Sequence, residues 1–259
     1  IVCMKQVPAG TKVDIDPETG AMKRLGSDTR TNPYDLFALE TALRIRETVG
    51  GSVTVLTMGP MQAESMMRDA YTMGADEAVI LSDRKFAGAD VLSTSYTLCQ
   101  GIQVPGGGDL IICGRQTTDG DTAQVGPAMA GHMHIPHAAW VSEIVGVDEN
   151  SVCVKQKLGD VTQVSRISCP CLITVDKDIC VPRLPSYRLK KKTEGRQVRV
   201  LGFGDLPDQD LSRYGLVGSP TTVERMFAPP GVDRQVYLEG DAGQKAASLF
   251  EILTEKKII

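Results

Sequence analysis

The stretch Gly114-Arg-Gln-Thr-Thr-Asp-Gly-Asp-Thr-Ala-Gln-Val-Gly-Pro127 carries the strongest chemical signal in the chain. It directly follows the aliphatic run Leu110–Cys113, so it begins where a strand ends. In open α/β sheets that edge is where ligands bind. Gly120 permits a tight turn, and Asp121 or Thr122 can cap a following helix. The N–H groups of Ala123, Gln124, Val125 and Gly126 would then face an anion, with the helix dipole adding to the attraction. An ordinary capped loop uses the same residue types. Asp119 and Asp121 oppose a phosphate unless their carboxylates turn toward backbone amides.

Other constellations are weaker. No G-x-G-x-x-G follows the first strand and no G-x-x-x-x-G-K-[ST] occurs, so a conventional dinucleotide or P-loop fingerprint is missing. Gly106-Gly-Gly108 precedes a strand and reads as a turn, and Gly202-Phe-Gly204 is no stronger. All three histidines fall in His132-Met-His-Ile-Pro-His137. No Asp, Glu or Cys flanks them, which favours a solvated helix end over a metal site. Cys169-Pro-Cys171 places two thiols on one sheet face, where apolar packing competes with redox or metal use. No Ser/His/Asp or Cys/His arrangement forms a recognisable catalytic motif. The run Lys190-Lys-Lys192 has no interleaved aromatics, so an acidic protein partner suits it better than nucleic acid.

These residues need a scaffold, and composition bounds it. The chain has 259 residues, 42% hydrophobic and 23% charged, which is globular rather than disordered. Its net charge of −4 excludes a general polyanion binder. Arg183–Arg199 alone carries +6, leaving −10 on the remainder. Aromatic residues are 5%, so the core must be aliphatic. The uncharged windows Val91–Gly108 and Thr122–Ser142 are too polar to span a membrane. The chain opens on the strand-like Ile1-Val-Cys-Met4, and its seven cysteines are scattered through apolar stretches. Both features lead to the expectation of a cytoplasmic protein with reduced thiols.

Strand-like runs at Ile1–Met4, Ser52–Met58, Glu77–Leu81, Asp109–Cys113 and Cys171–Val175 alternate with helical stripes. One stripe follows Asn32-Pro33, suited to N-cap and first helical position. A second runs from Ala63 to Met73 and stops at Gly74; a third runs from Val91 to Ile102. Strict alternation implies a doubly wound, mostly parallel α/β sheet, Rossmann-like and of adenine-nucleotide-binding type. Val141–Ser168 breaks the rhythm as an antiparallel hairpin excursion. The expected division is an α/β domain at 1–180 and an extended arm at 181–259, rich in loops and ending in a helix over Asp241–Lys257. An arm with one helix cannot bury a core alone, so it must lie across its own domain or another chain.

Several stretches together resemble the β subunit of electron-transfer flavoprotein. They are Lys5-Gln-Val-Pro8, Asn32-Pro-Tyr-Asp35, Met58-Gly-Pro60, Met73-Gly-Ala-Asp76, Asp119–Pro127, and Pro182-Arg183 ahead of Lys190–Lys192. Phe86–Asp90, Gly114-Arg-Gln116 and Gly218-Ser-Pro-Thr221 are similar to the electron-bifurcating subgroup of anaerobic bacteria. The resemblance implies a heterodimer with an α subunit that carries its own flavin. It implies a β pocket holding FAD, or AMP in non-bifurcating relatives. That pocket would use Cys3, Asn32, Pro33, Tyr34, Asp35 and Met58. Its phosphate loop would be Asp119, Gly120, Asp121, Thr122, Ala123, Gln124, Val125 and Gly126. Asp90 and Thr94 would approach the flavin end or a docked nicotinamide. Partner recognition would fall to Pro182, Arg183, Leu184, Tyr187 and Lys190, with Tyr187 where a Leu is common.

The implied activity is oxidoreduction within a complex, the cofactor supplying the chemistry. NADH would be the donor. One electron would go through the α flavin to a flavin dehydrogenase of acyl-CoA or hydroxy-acid type, the other to ferredoxin. No side chain is expected to be catalytic and no metal is expected. A non-bifurcating β subunit with structural AMP and a stand-alone adenine-nucleotide-binding module are the alternatives.

Overall fold

The computed structural model describes residues 1–9, 14–15, 22–23, 29–224 and 237–259. In chain order the elements begin with β1 (Val2–Cys3), β2 (Gln6–Pro8), β3 (Asp14–Ile15), β4 (Met22–Lys23), β5 (Thr29–Thr31) and α1 (Pro33–Val49). Next come β6 (Thr54–Met58), α2 (Glu64–Met73), β7 (Glu77–Leu81), α3 (Val91–Gln103), β8 (Leu110–Gly114) and α4 (Val125–Met133). The rest are β9 (His137–Val147), β10 (Ser151–Leu158), β11 (Val161–Ser168), β12 (Cys171–Val175), α5 (Tyr187–Thr193), β13 (Arg199–Leu201) and α6 (Ala242–Glu255).

Nine strands form one sheet in the order β11-β10-β9-β12-β8-β1-β6-β7-β13. The pairs from β9 through β13 are parallel, and β10 and β11 add antiparallel strands at one edge. The crossover helices α1 and α2 join the parallel neighbours β1–β6 and β6–β7, while α3 and α4 carry the chain to strands further across the sheet. Residue alternation sends Val2, Val55, Ile80, Ile112 and Ile173 to the face covered by α1 and α2. Cys3, Leu56, Leu81, Ile111 and Leu172 go to the opposite face, under α3 and α4. Both faces are therefore buried, which explains why the strands read as short continuous apolar runs.

The structure sharpens the sequence reading in three places. The antiparallel segment is not set apart from the sheet: β9 starts at His137 and pairs in parallel with β12, so the sheet continues through it. The chain after residue 180 supplies β13, which pairs with β7, and Tyr214, fully buried against Phe86, Tyr96 and Phe203. By contrast α6 has no buried residue. Part of the expected loop-rich arm, residues 225–236, lies outside the described residues. Third, the histidines do not share one solvated helix end. His132 packs edge-on against Tyr96 with centroids 5.4 Å apart, His134 ends α4 in the left-handed region, and His137 opens β9. Among the described residues no helix is long and apolar enough to cross a membrane.

Candidate functional site

The Gly114–Pro127 stretch leaves the carboxyl end of β8, at the edge of the sheet, and runs into α4. Its turn is made differently from the sequence expectation. Asp121 and Ala123, not Gly120, take left-handed conformations, with φ of 52° and 54°. Neither Asp121 nor Thr122 caps the helix. α4 starts at Val125 with Gln124 in the cap position and no side-chain cap bond. No hydrogen bond is made by the N–H groups of Ala123, Gln124, Val125 and Gly126 within the described residues. A row of unspent donors at the start of a helix is what an anion needs.

Gly126 is required there. A Cβ on it would lie 2.5 Å from Thr174 Cγ2 of β12, so only glycine lets α4 begin this close to the sheet. The acidic residues are turned aside. Asp119 accepts two bonds from Lys5 Nζ, at 2.8 and 2.9 Å, and one from the Gly120 N–H. Burial pushes its carboxyl up, but Lys5 and Thr117 outweigh this and hold it below the usual range. Asp121 accepts from the Gln116 side-chain amide.

α1 begins opposite this loop. Asn32 is fully buried, and its side chain does not cap α1. Its amide donates to Asp35 Oδ1 and to the Gln116 carbonyl, both at 2.9 Å, and its Oδ1 accepts from the Thr118 N–H. Long-range partners thus win the side chain from the local cap. Asp35 is also buried, and its Oδ2 accepts the Lys5 N–H at 2.7 Å. Burial lifts the Asp35 carboxyl to about 7, opposed by its bonds from Asn32, Lys5 and Gly114. Asn32 and Asp35 therefore clamp the loop to β1 and α1 instead of facing open space. Pro33, Tyr34 and Met58 are half-buried around them. Cys3 and Cys113 are register partners on β1 and β8; the Cys3 contact, with burial, raises the Cys113 thiol.

Asp90 and Thr94 sit at the start of α3. Asp90 Oδ1 caps the Ser93 N–H, while its Oδ2 accepts the Thr221 N–H at 3.1 Å and the Thr221 hydroxyl at 2.7 Å. Ser219 Oγ accepts the Asp90 N–H. The Gly218-Ser-Pro-Thr221 motif thus closes over this helix end, a tie that sequence spacing did not disclose.

Further along α1, Arg183 is a fixed anchor. Its Nε donates to Glu40 Oε2 and its Nη1 to Glu47 Oε1, both at 2.7 Å. Pro182 is half-buried beside it. Leu184 and Tyr187 project, 86% and 74% exposed, with Lys190 exposed one turn later. Ser186 caps α5 and donates its N–H to the Thr72 carbonyl, tying the segment to α2.

A doubly wound α/β sheet with an anion-receptive loop at its carboxyl edge and a projecting segment elsewhere defines a scaffold for a bound group and a partner. Residues 19–203 match the electron transfer flavoprotein domain. The chain is 40% identical to the electron transfer flavoprotein subunit beta of Thermoanaerobacterium thermosaccharolyticum, over 100% of this chain and 99% of that protein. It is 40% identical, with the same coverage, to the caffeyl-CoA reductase-Etf complex subunit CarD of Acetobacterium woodii. It is 39% identical to protein FixA of Bradyrhizobium diazoefficiens, over 98% of this chain and 90% of that protein. The chain belongs to the electron transfer flavoprotein family, among its β subunits.

Proposed function

We propose that this β subunit holds the adenosine and phosphate end of FAD at the 119–126 loop and works in electron bifurcation. The observation that carries the binding reading is the row of unspent N–H groups from Ala123 to Gly126 where the loop after β8 enters α4. The chain's residues fit such a group: donors for phosphate, a glycine that lets α4 start close to the sheet, an Asp119 paired with Lys5, and an Asp121 hydrogen-bonded by the Gln116 amide. Cys3, Asn32, Pro33, Asp35, Gly120 and Thr122 shape the cradle, and Asp90 and Thr94 border its outer end. When bound, the flavin supplies hydride acceptance from NADH and electron release along two routes, to the α subunit and its dehydrogenase and to ferredoxin. The chain's own work is to bind, orient and exclude water.

Residues 181–259 form the partner-engaging arm beside the 1–180 nucleotide domain. Pro182 and Arg183 fix the docking segment, and Leu184, Tyr187 and Lys190 meet a dehydrogenase of acyl-CoA or hydroxy-acid type. CarD is by name a subunit of a caffeyl-CoA reductase-Etf complex, which suits an acyl-CoA type. Counting cofactors in the purified αβ complex tests the reading. Two FAD per heterodimer, with flavin reduction by NADH, is the expected result. One FAD plus AMP would assign the same loop to a structural nucleotide and remove the bifurcation step.

A further inference from the structure

Trp140, the chain's single tryptophan, lies within β9 at φ 59°, a left-handed conformation that bulky L-residues rarely adopt. It sits where the β9–β12 register shifts between Ile173 and Val175, and Thr174 Oγ1 accepts its backbone N–H at 3.0 Å. Such irregularities re-aim a side chain, often beside a functional site. Here the ring lies under the Arg115 guanidinium, whose Cζ is 4.5 Å from the ring centroid. Arg115 Nη1 donates to Asp176 Oδ2 at 2.8 Å, and its N–H continues the ladder to the Val175 carbonyl.

This cluster holds both ends of the anion-receptive loop. Arg115 is the residue through which the chain leaves β8 into the loop. Gly126, where the chain enters α4, packs against the methyl of the same Thr174 that accepts from Trp140. The Asp176 N–H bonds the Val141 carbonyl, joining the end of β12 to β9. The Arg115 Nε–H is buried without a partner, so the seat is under-bonded and responsive to a small shift of the loop.

We infer that Arg115, seated on Trp140 and tied to Asp176, is a positioning residue for the 116–124 loop, and that Trp140 reports occupancy of that loop. The inference rests on the nucleotide reading above. Guanidinium planarity matters: a lysine can keep the charge pair with Asp176 but not the stacked plane.

The test uses the full chain in complex with its α subunit, stripped of all nucleotide and flavin at the 119–126 loop and assayed to be empty of both, with AMP as the probe because it does not absorb where tryptophan is excited. Addition of AMP shifts the tryptophan emission, and the shift disappears in Trp140→Phe. Arg115→Gln weakens AMP binding by about tenfold, within the usual range of site-to-site coupling, and Arg115→Lys recovers part of it. Unchanged AMP affinity in Arg115→Gln overturns the inference while leaving the nucleotide reading intact. If Arg115→Gln does not fold, the unaltered protein decides: AMP binding without a Trp140 emission change overturns the inference. Absence of AMP binding in the unaltered complex overturns the nucleotide reading and this inference with it.

Discussion

Arg183→Ala is the sharpest single perturbation of the docking segment. Glu40 on α1 is 3% exposed and depends on two guanidinium groups: Arg183 on Oε2 and Arg44 on Oε1, each at 2.7 Å. Removing one partner of a buried pair costs about 3–5 kcal/mol. Here Arg44 remains and Arg183 is itself one-third exposed, so about 2 kcal/mol is expected. Burial pushes the Glu40 carboxyl up, but the Arg183 and Arg44 bonds more than offset it and hold it below 4.5. A carboxyl depressed in the fold stabilises above its ordinary 4.5, and that contribution is lost as pH falls through the lower folded value. Urea denaturation of the complex should therefore show the Arg183→Ala penalty near neutral pH and its shrinkage in acid. Electron transfer to the dehydrogenase should fall too, since Leu184 and Tyr187 lose their anchor, with bound nucleotide unchanged. A penalty below about 0.5 kcal/mol near neutrality, or one that does not change with pH, would refute the argument.

Two other outcomes are expected. Gly126→Ala places a Cβ 2.5 Å from Thr174 Cγ2, so α4 must retreat from the sheet; a loss of about 1–3 kcal/mol in a thermal or denaturant melt should accompany reduced nucleotide content, and full retention of both counts against the close-approach argument. Asp35, lifted by burial to about 7, holds a proton that the unfolded chain releases near 3.8. Stability should decline as pH rises between those values, by at most about 1.4 kcal/mol per unit. Asp35→Asn should lack that slope, and a carboxyl-carbon titration of Asp35 near 4 would contradict it.

The parallel sheet was legible because both-face burial leaves short apolar runs, and Pro33 and Gly74 mark helix ends by backbone chemistry that needs no tertiary partner. The loop was legible for the same reason: Gly114–Pro127 follows an aliphatic strand directly. Asn32 holds the expected N-cap position of α1, but its side chain makes no cap bond because its competitors, the Gln116 carbonyl and Thr118 N–H, lie more than 80 residues away and were not visible in the sequence. Asp121 and Ala123 hid the turn, since left-handed backbone is ordinarily assigned to glycine. β13 is three residues long and could be found only through its pairing with β7. The Asp90–Thr221 tie and the Arg183–Glu40 pair share that character: each joins charges or hydroxyls whose meeting is set by the whole fold.

Strand β13 has one further consequence. With β12 ending at Val175 and β13 starting at Arg199, the stretch carrying Leu184, Tyr187 and Lys190 is fastened into the same sheet at both ends. It is a cassette rather than a tail. On the proposed docking role, divergence of its few projecting side chains between relatives would change which dehydrogenase is served, while the strands on either side keep their register. Exchanging residues 184–190 between relatives should therefore carry partner choice across as a unit, with the nucleotide end of the molecule left untouched.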